Sequence, residues 1–242
     1  QEKISDLLAG QGFQEIVTNS ITNLAYFNES ESGSLVKMIN SLSQELNVMR
    51  PRLLETALEV VAHNLNHKNL SLRLFEFGKT YHKYPSGYQE NKHLTLFITG
   101  NTNPESWTNT QKPTNFFLLK GYVHAVLDRL GIPKNQNAPV TSDVFSEGVA
   151  ICLGTEILVE YGVVKKSILK HFDIKQEVLF ADFNWDILLR QLSTTIKFTE
   201  IPKYPEVRRD LSLLLDSAVS FESIDAIARK TDKLLLKEVQ LF

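Results

Sequence analysis

The chain has 242 residues, 43% hydrophobic and 22% charged, the balance of a globular protein rather than a disordered tail or a fibrous repeat. Its 26 basic and 28 acidic residues leave a net charge of −2, so any nucleic-acid contact must be local rather than driven by a global basic field. The single cysteine, Cys152, excludes an internal disulfide and a two-thiol metal site and fits a reducing, cytoplasmic compartment. No apolar run approaches the ~18 residues of a membrane span. Neither the Gln1-Glu2-Lys3-Ile4 start nor the apolar alternation at Val239–Phe242 reads as a natural end, and the expectation is a segment of a longer protein.

In chain order, Ile4, Leu7 and Leu8 recur at helical spacing, Gly12 stops the helix, and Phe13 to Val17 reads as a strand. Asn28 to Ser34 is polar and reads as a loop; Val36, Met38 and Asn40 lead into a second extended segment. The clearest helix starts near Pro51, with Leu54, Ala57, Leu58, Val61, Ala62 and Leu65 on one face. Leu70, Leu72 and Leu74 then alternate as in a strand, Tyr84-Pro85-Ser86-Gly87 is a turn, and Leu94, Leu96 and Ile98 alternate up to Gly100. After a polar stretch, Leu119 to Leu130 predicts a second strong helix ending at Gly131. Val140 to Val164 predicts two or three strands with turns at Gly148, Gly154 and Gly162; Lys165 to Phe172 a helix; Val178 to Phe183 a strand; Trp185 to Leu192 a short helix. Tyr204-Pro205 marks a boundary, followed by strand Val207–Leu215, helix Ser220–Lys230 with Phe221, Ile224 and Ile227 inward, and strand Leu235–Phe242. A unit of that size cannot close a core alone and is expected to be half of a small α+β domain. The main body is expected to be an antiparallel sheet covered by helices.

Several chemistries are absent. There is no phosphate-loop motif and no G-x-S-x-G elbow. Gly10-Gln11-Gly12 precedes a strand instead of following one, the wrong context for a dinucleotide. Asn28-Glu29-Ser30 and Asn69-Leu70-Ser71 match glycosylation sequons by chance. Glu59, His63 and His67 stack along one helix line, which is read as a solvated polar stripe, since no third ligand accompanies the two histidines.

Two segments are far more specific. One is Met49-Arg50-Pro51-Arg52-Leu53-Leu54, its helix, and then Leu72-Arg73-Leu74-Phe75-Glu76-Phe77-Gly78-Lys79-Thr80-Tyr81; the other is Tyr204-Pro205-Glu206-Val207-Arg208-Arg209-Asp210-Leu211-Ser212-Leu213. The first resembles class II aminoacyl-tRNA synthetases, in which an M/L-R-P helix leads to a strand of the type F-E-x-G-x-x-[FY]-R-x-E. The opening helix with Gly12-Phe13-Gln14-Glu15-Ile16-Val17 resembles that class's first motif. Together with Asn40-Ser41-Leu42-Ser43, Asn64-Leu65-Asn66, Leu119-Lys120-Gly121 and Tyr204–Leu213, the likeness narrows to the bacterial phenylalanine–tRNA synthetase beta-subunit family. The resemblance implies an α+β fold: a class II synthetase-like antiparallel sheet flanked by helices over residues 1–199. From residue 200 to 242 it implies a truncated ferredoxin-like anticodon-binding domain.

The departures from the class pattern bear on mechanism. Where active enzymes carry an arginine that grips the ATP α-phosphate, and an acidic residue two positions later, this chain has His82 and Tyr84. An imidazole cannot reproduce a bidentate guanidinium contact. The region matching the third, glycine-rich motif, Phe180-Ala181-Asp182-Phe183-Asn184-Trp185, has no glycine run, and its nearest arginine is Arg190 in the wrong context. The loss of such charge stabilisation predicts a segment with no catalytic residue and no metal site of its own. Against the beta-subunit pattern, Lys165-Lys166 replaces a usual His-Pro pair, and a His-Pro-Gly stretch is missing near Phe145-Ser146-Glu147-Gly148.

The resemblance further implies partnership with the alpha subunit in a heterotetramer, tRNA(Phe) as a second partner, and a whole complex that uses ATP and Mg²⁺ to ligate phenylalanine, with no membrane involved. The apolar faces of the Ile4 and Leu54–Leu65 helices exceed what one small sheet needs and are expected to serve that assembly. Arg208 and Arg209 are candidate tRNA-phosphate contacts, with strand-edge pairing to Asp210 or Glu206 as the plainer reading. Residues 201–242 hold seven basic and seven acidic side chains, so shape and stacking matter there more than bulk charge. The rival readings are a self-sufficient class II ligase activating a carboxylate, and a free-standing RNA-binding module.

Overall fold

In a computed structural model of the chain, the helical spacing of Ile4, Leu7 and Leu8 builds α1 (Glu2–Gly10), with Ile4 and Leu8 out of solvent. The structure describes residues 1–28, 31, 33–41, 43–103, 105–132, 136–140, 142–192, 198, 200 and 203–241. These fall into two compact units, Gln1–Ile196 and Lys197–Phe242. The expected boundary at 199/200, Glu29 and Ser30 of the first sequon, Leu42 and Phe242 touch positions outside the described residues.

In the first unit the expected strand after α1 shrinks to β1 (Gln14–Glu15). Three further short strands, β2 (Ile21–Thr22), β3 (Val36–Lys37) and β4 (Val48–Met49), make a separate antiparallel sheet in the order β2-β4-β3. The Pro51 helix forms as α2 (Leu54–Asn66). The two alternating runs that follow grow into a long hairpin, β5 (Leu72–Tyr84) and β6 (Gly87–Thr99), closed at the anticipated turn with Gly87 at φ +128. α3 (Phe116–Arg129) is capped by the Asn115 side chain, which accepts from the Leu118 amide. Then come β7 (Gln136–Pro139), β8 (Phe145–Leu153), β9 (Glu156–Val164), α4 (Lys166–His171), β10 (Val178–Asn184) and α5 (Trp185–Arg190).

Seven strands form one sheet in the order β1-β5-β6-β10-β9-β8-β7. The sheet is mixed rather than purely antiparallel: β1 runs parallel to β5, with Gln14 opposite Leu74, and every other neighbouring pair is antiparallel. A parallel pair needs a long crossover, and here the chain between β1 and β5 runs through the small sheet and α2 before it returns to the sheet in the same direction. Because side chains alternate along each strand, the sheet divides two cores. Leu94, Leu96 and Ile98 of β6 face one core with Leu179, Ala181 and Phe183 of β10, covered by α1, α3 and α5. Phe97, Val178 and Phe180 face the other, under Leu54, Leu58 and Val61 of α2 and Leu169 of α4. The expectation of spare apolar helix surface is therefore corrected for α2, whose stripe is spent on the second core.

Gly148 and Gly162 are also corrected. Both lie inside strands, directly opposite each other at an irregular point of the β8–β9 ladder, and only Gly154 turns the chain there. The two glycines let two backbones approach closely.

In the second unit the expected helix forms as α6 (Phe221–Thr231), with the Ser220 side chain accepting from the Ser223 amide. The strands expected at 207–215 and 235–242 are not formed among the described residues. A strand needs a partner ladder, and neither segment is given one. The inward face expected of α6 is not buried either: Phe221 is 38% exposed and Ile227 66%. Among the described residues no helix is long and apolar enough to cross a membrane.

A Cβ added at Gly162 would lie 2.1 Å from the Glu147 carbonyl oxygen, a backbone atom that cannot swing aside. Gly162→Ala is expected to destabilise the fold by about 1–3 kcal/mol, read as a shift of the denaturant midpoint.

Candidate functional site

The two stretches of the first specific segment, Met49–Leu54 and Leu72–Tyr81, meet in the first unit. Arg50 donates from Nη1 to Glu76 Oε1 at 2.9 Å, and the two side chains are only 4% and 2% exposed. Isolated charges at that depth would be strongly unfavourable, so each needs further partners. Arg50 Nε donates to the Lys79 carbonyl (2.9 Å) and Nη1 to the Thr18 hydroxyl (2.6 Å), while that hydroxyl donates to Glu76 Oε2 (2.8 Å). The Thr18 amide completes the set on Glu76 Oε1 at 3.2 Å. Gly78 shares the Glu76 face of β5, and a Cβ there would meet Leu53 Cδ2 at 2.4 Å and Arg50 Nη2 at 2.6 Å. The glycine is the socket into which the Arg50–Leu53 turn seats.

Beyond this clamp, the same sheet face opens into a cavity of about 250 Å³. Leu35, Pro51, Val144, Phe145 and Phe180 supply its apolar lining, and Glu31, Arg52, His82, Glu160 and Asp182 its polar groups. The Arg52 guanidinium is held by two carboxylates at 2.6 Å each, Glu31 and Glu55, and lies 5.4 Å over the Phe27 ring. Glu55 is buried; that burial pushes its carboxyl pKa up, against the pull of Arg52. Asp182 takes His93 Nδ1 at 2.6 Å across the β6–β10 ladder. Burial alone would lower the His93 pKa, but the charge and hydrogen bond of Asp182 outweigh it and the net shift is upward. Burial, then the neighbouring His93, lowers the His82 pKa, which favours the uncharged ring.

His82 thus lines the cavity, and Tyr84 stacks beside it, ring centroids 6.0 Å apart, at the exposed end of the hairpin. Arg52 is the one cavity-lining arginine among the described residues, and it is already neutralised. Arg190 pairs with Glu156 at 3.1 Å. Arg208 and Arg209 lie exposed in the second unit, with Arg208 Nε 3.6 Å from Asp210. Sequence reasoning missed Glu160, Asp182 and His93. Strand alternation marks them as sharing a face, but their convergence depends on β10 inserting between β6 and β9.

Residues 1–185 match the family described as the phenylalanyl tRNA synthetase beta chain CLM domain. The chain is 41% identical to the phenylalanine–tRNA ligase beta subunit of Bacteroides thetaiotaomicron, over 100% of this chain and 32% of that protein. It is 38% identical to the one from Porphyromonas gingivalis, with the same coverage. The chain thus spans about a third of the length of these curated relatives. In fold it is similar to pyrrolysyl-tRNA synthetase from Desulfitobacterium hafniense, with a TM-score of 0.61 at 19% identity over 81% of this chain and 72% of that one. A second pyrrolysyl tRNA synthetase structure from that organism gives 0.59 at 22% identity, over 78% and 66%.

Two stability effects follow. Glu76→Gln strands the Arg50 charge and is expected to cost about 3–5 kcal/mol; a double-mutant cycle with Arg50→Met should show strong coupling between the two positions. Because His93 has a raised pKa in the folded state, its stabilisation is fully present below its ordinary value near 6.5 and is lost as pH rises through the raised one. Unfolding measured across that window should show the decline in the natural chain, and a flatter profile in His93→Gln.

Proposed function

Because the chain belongs to the phenylalanine–tRNA ligase beta-subunit family, we propose that it is the synthetase-shaped but non-catalytic part of that subunit. In this reading it is a scaffold on which the alpha subunit assembles and tRNA(Phe) is positioned, within a cytoplasmic complex that ligates phenylalanine to tRNA with ATP and Mg²⁺. The observation that carries the reading is the state of the cavity's cations. An imidazole, His82, stands where the class pattern has a phosphate-gripping arginine, and Arg52 is consumed by Glu31 and Glu55. A triphosphate would find carboxylates in place of a free guanidinium, and positioned positive charge is what phosphoryl chemistry requires.

Assembly is supported by apolar side chains left in solvent around the edge strand and the small sheet: Val17 is 91% exposed and Ile39 96%. Side chains of this kind become buried in obligate interfaces. The second unit fits the start of a ferredoxin-like anticodon-binding domain, with a single amphipathic helix between two apolar-rich segments. Arg208 and Arg209 are then its candidate phosphate contacts. Their exposure supports this, and the Asp210 carboxylate near Arg208 weakens it.

ATP–pyrophosphate exchange separates this reading from a self-sufficient ligase. The isolated chain should show no phenylalanine-dependent exchange, and clear exchange would overturn the scaffold reading. The full-length subunit carrying Val17→Asp and Ile39→Asp should lose most co-purification with the alpha subunit, since an unpaired carboxylate placed in an apolar interface is strongly unfavourable.

A further inference from the structure

We propose that His63 and His67, one turn apart at the end of α2, form an open two-imidazole site for a divalent transition cation of the Zn²⁺ and Cu²⁺ class. Residues spaced i, i+4 on a helix are neighbours on one face. Both histidines are exposed, and their ring centroids lie 4.3 Å apart with the planes tilted by 36°. The two rings already stand side by side at the protein surface.

A hydrogen bond at His67 fixes which nitrogen is offered. Its Nδ1 lies 2.8 Å from the His63 carbonyl oxygen. A carbonyl only accepts, so Nδ1 carries the proton, and in the neutral ring Nε2 keeps its lone pair. An Nδ1–H bound to a backbone carbonyl is the support that orients metal-ligating histidines in general. Among the described residues the His63 ring makes no hydrogen bond of its own and stacks on His67. An exposed side chain changes rotamer in picoseconds to nanoseconds, so His63 can turn its nitrogen toward a shared ion without disturbing the core.

The surroundings select the class of ion. The carbonyls of His63, Asn64 and Leu65 gather under the His67 cap, at the negative pole of the helix dipole, which favours a cation. Lys68 follows in a left-handed turn (φ +67), one position off the histidine line, and does not share their face. Glu59 is drawn elsewhere: its Oε1 accepts from the Tyr26 hydroxyl at 2.7 Å, and eight residues put it about 12 Å from His67 along the helix axis. The donor set is therefore two imidazoles and no carboxylate. Imidazole suits Zn²⁺, Cu²⁺ and Ni²⁺, whereas Mg²⁺ and Ca²⁺ take oxygen ligands, so this site differs in chemistry from any Mg²⁺ site of the whole complex. Among the described residues no group of three or more ligating side chains converges, and a closed structural zinc site needs four. Two ligands make an open site instead, with its other positions left to water. That is how the pair departs from the metal-free segment expected from the sequence.

The test is a titration of the chain with copper(II) chloride in a non-chelating buffer, followed by calorimetry and by electron paramagnetic resonance. The tightest ion should bind saturably and show coupling to two imidazole nitrogens, and excess Zn²⁺ should displace it. Mg²⁺ should not displace it. His63→Gln and His67→Gln should each weaken binding by roughly tenfold or more, since even the outer partners of a metal site are worth that much. His171→Gln, which changes an exposed histidine on α4, should leave the affinity unchanged. Absence of saturable binding, a spectrum without two nitrogens, displacement by Mg²⁺, or full affinity in either α2 variant would each overturn the proposal, as would an equal loss in His171→Gln. Should His67→Gln fail to fold, His63→Gln and the spectrum of the natural chain decide by themselves.

Discussion

The buried Arg50–Glu76 pair is the constraint on which the first unit is organised. It joins the turn before α2 to the middle of β5, and Thr18 enters as a third member from the segment after β1. Three pieces of chain, 58 residues apart at the extremes, are thereby held by charged and neutral hydrogen bonds in a dry setting. Apolar side chains in place of the pair could supply comparable stability, but they would tolerate many arrangements. A guanidinium that must satisfy the Lys79 carbonyl, the Thr18 hydroxyl and a carboxylate together fits one register.

That register determines the character of the cavity. Along the Glu76 face of β5, side chains run from apolar at Leu72 and Leu74 to polar at Glu76, Thr80 and His82. Neighbouring strands follow the same gradient, from Val178 and Phe180 to Asp182 on β10 and from Phe97 to His93 on β6. The result is one sheet face with a packed half under α2 and α4 and a polar half that opens into the cavity. The scaffold has a synthetase's shape, while its charges are arranged to engage one another. Arg52 is closed by two glutamates and His93 by Asp182, and the imidazole of His82 stands where the class pattern has a phosphate-gripping arginine.

The second unit illustrates the opposite case. Its helix α6 is well specified locally, by the Ser220 cap and by Arg229 pairing back to Asp225 at 2.8 Å. Yet none of its residues is buried. Apolar segments flanking one helix cannot close a core, because too small a fraction of their surface can be hidden. Local signals were enough for the helix and insufficient for the strands, which exist only as members of a ladder.

What the amino-acid sequence determined by itself was local and periodic. The helices followed from their apolar spacing and caps, the β5–β6 turn from Tyr84-Pro85-Ser86-Gly87, and the family likeness from Met49–Leu54 with Phe75–Gly78. His82 and Tyr84 were likewise legible as departures from a motif. Only the tertiary structure decided that Arg50 and Glu76 bind each other, that Gly148 and Gly162 face each other across a ladder instead of turning the chain, and that Glu160 and Asp182 line one cavity with His93 bound to Asp182. The physical reason is that periodicity reports which face a residue occupies within its own element. Which elements become neighbours is set by strand order, and strand order is chosen by the burial and pairing of the whole sheet.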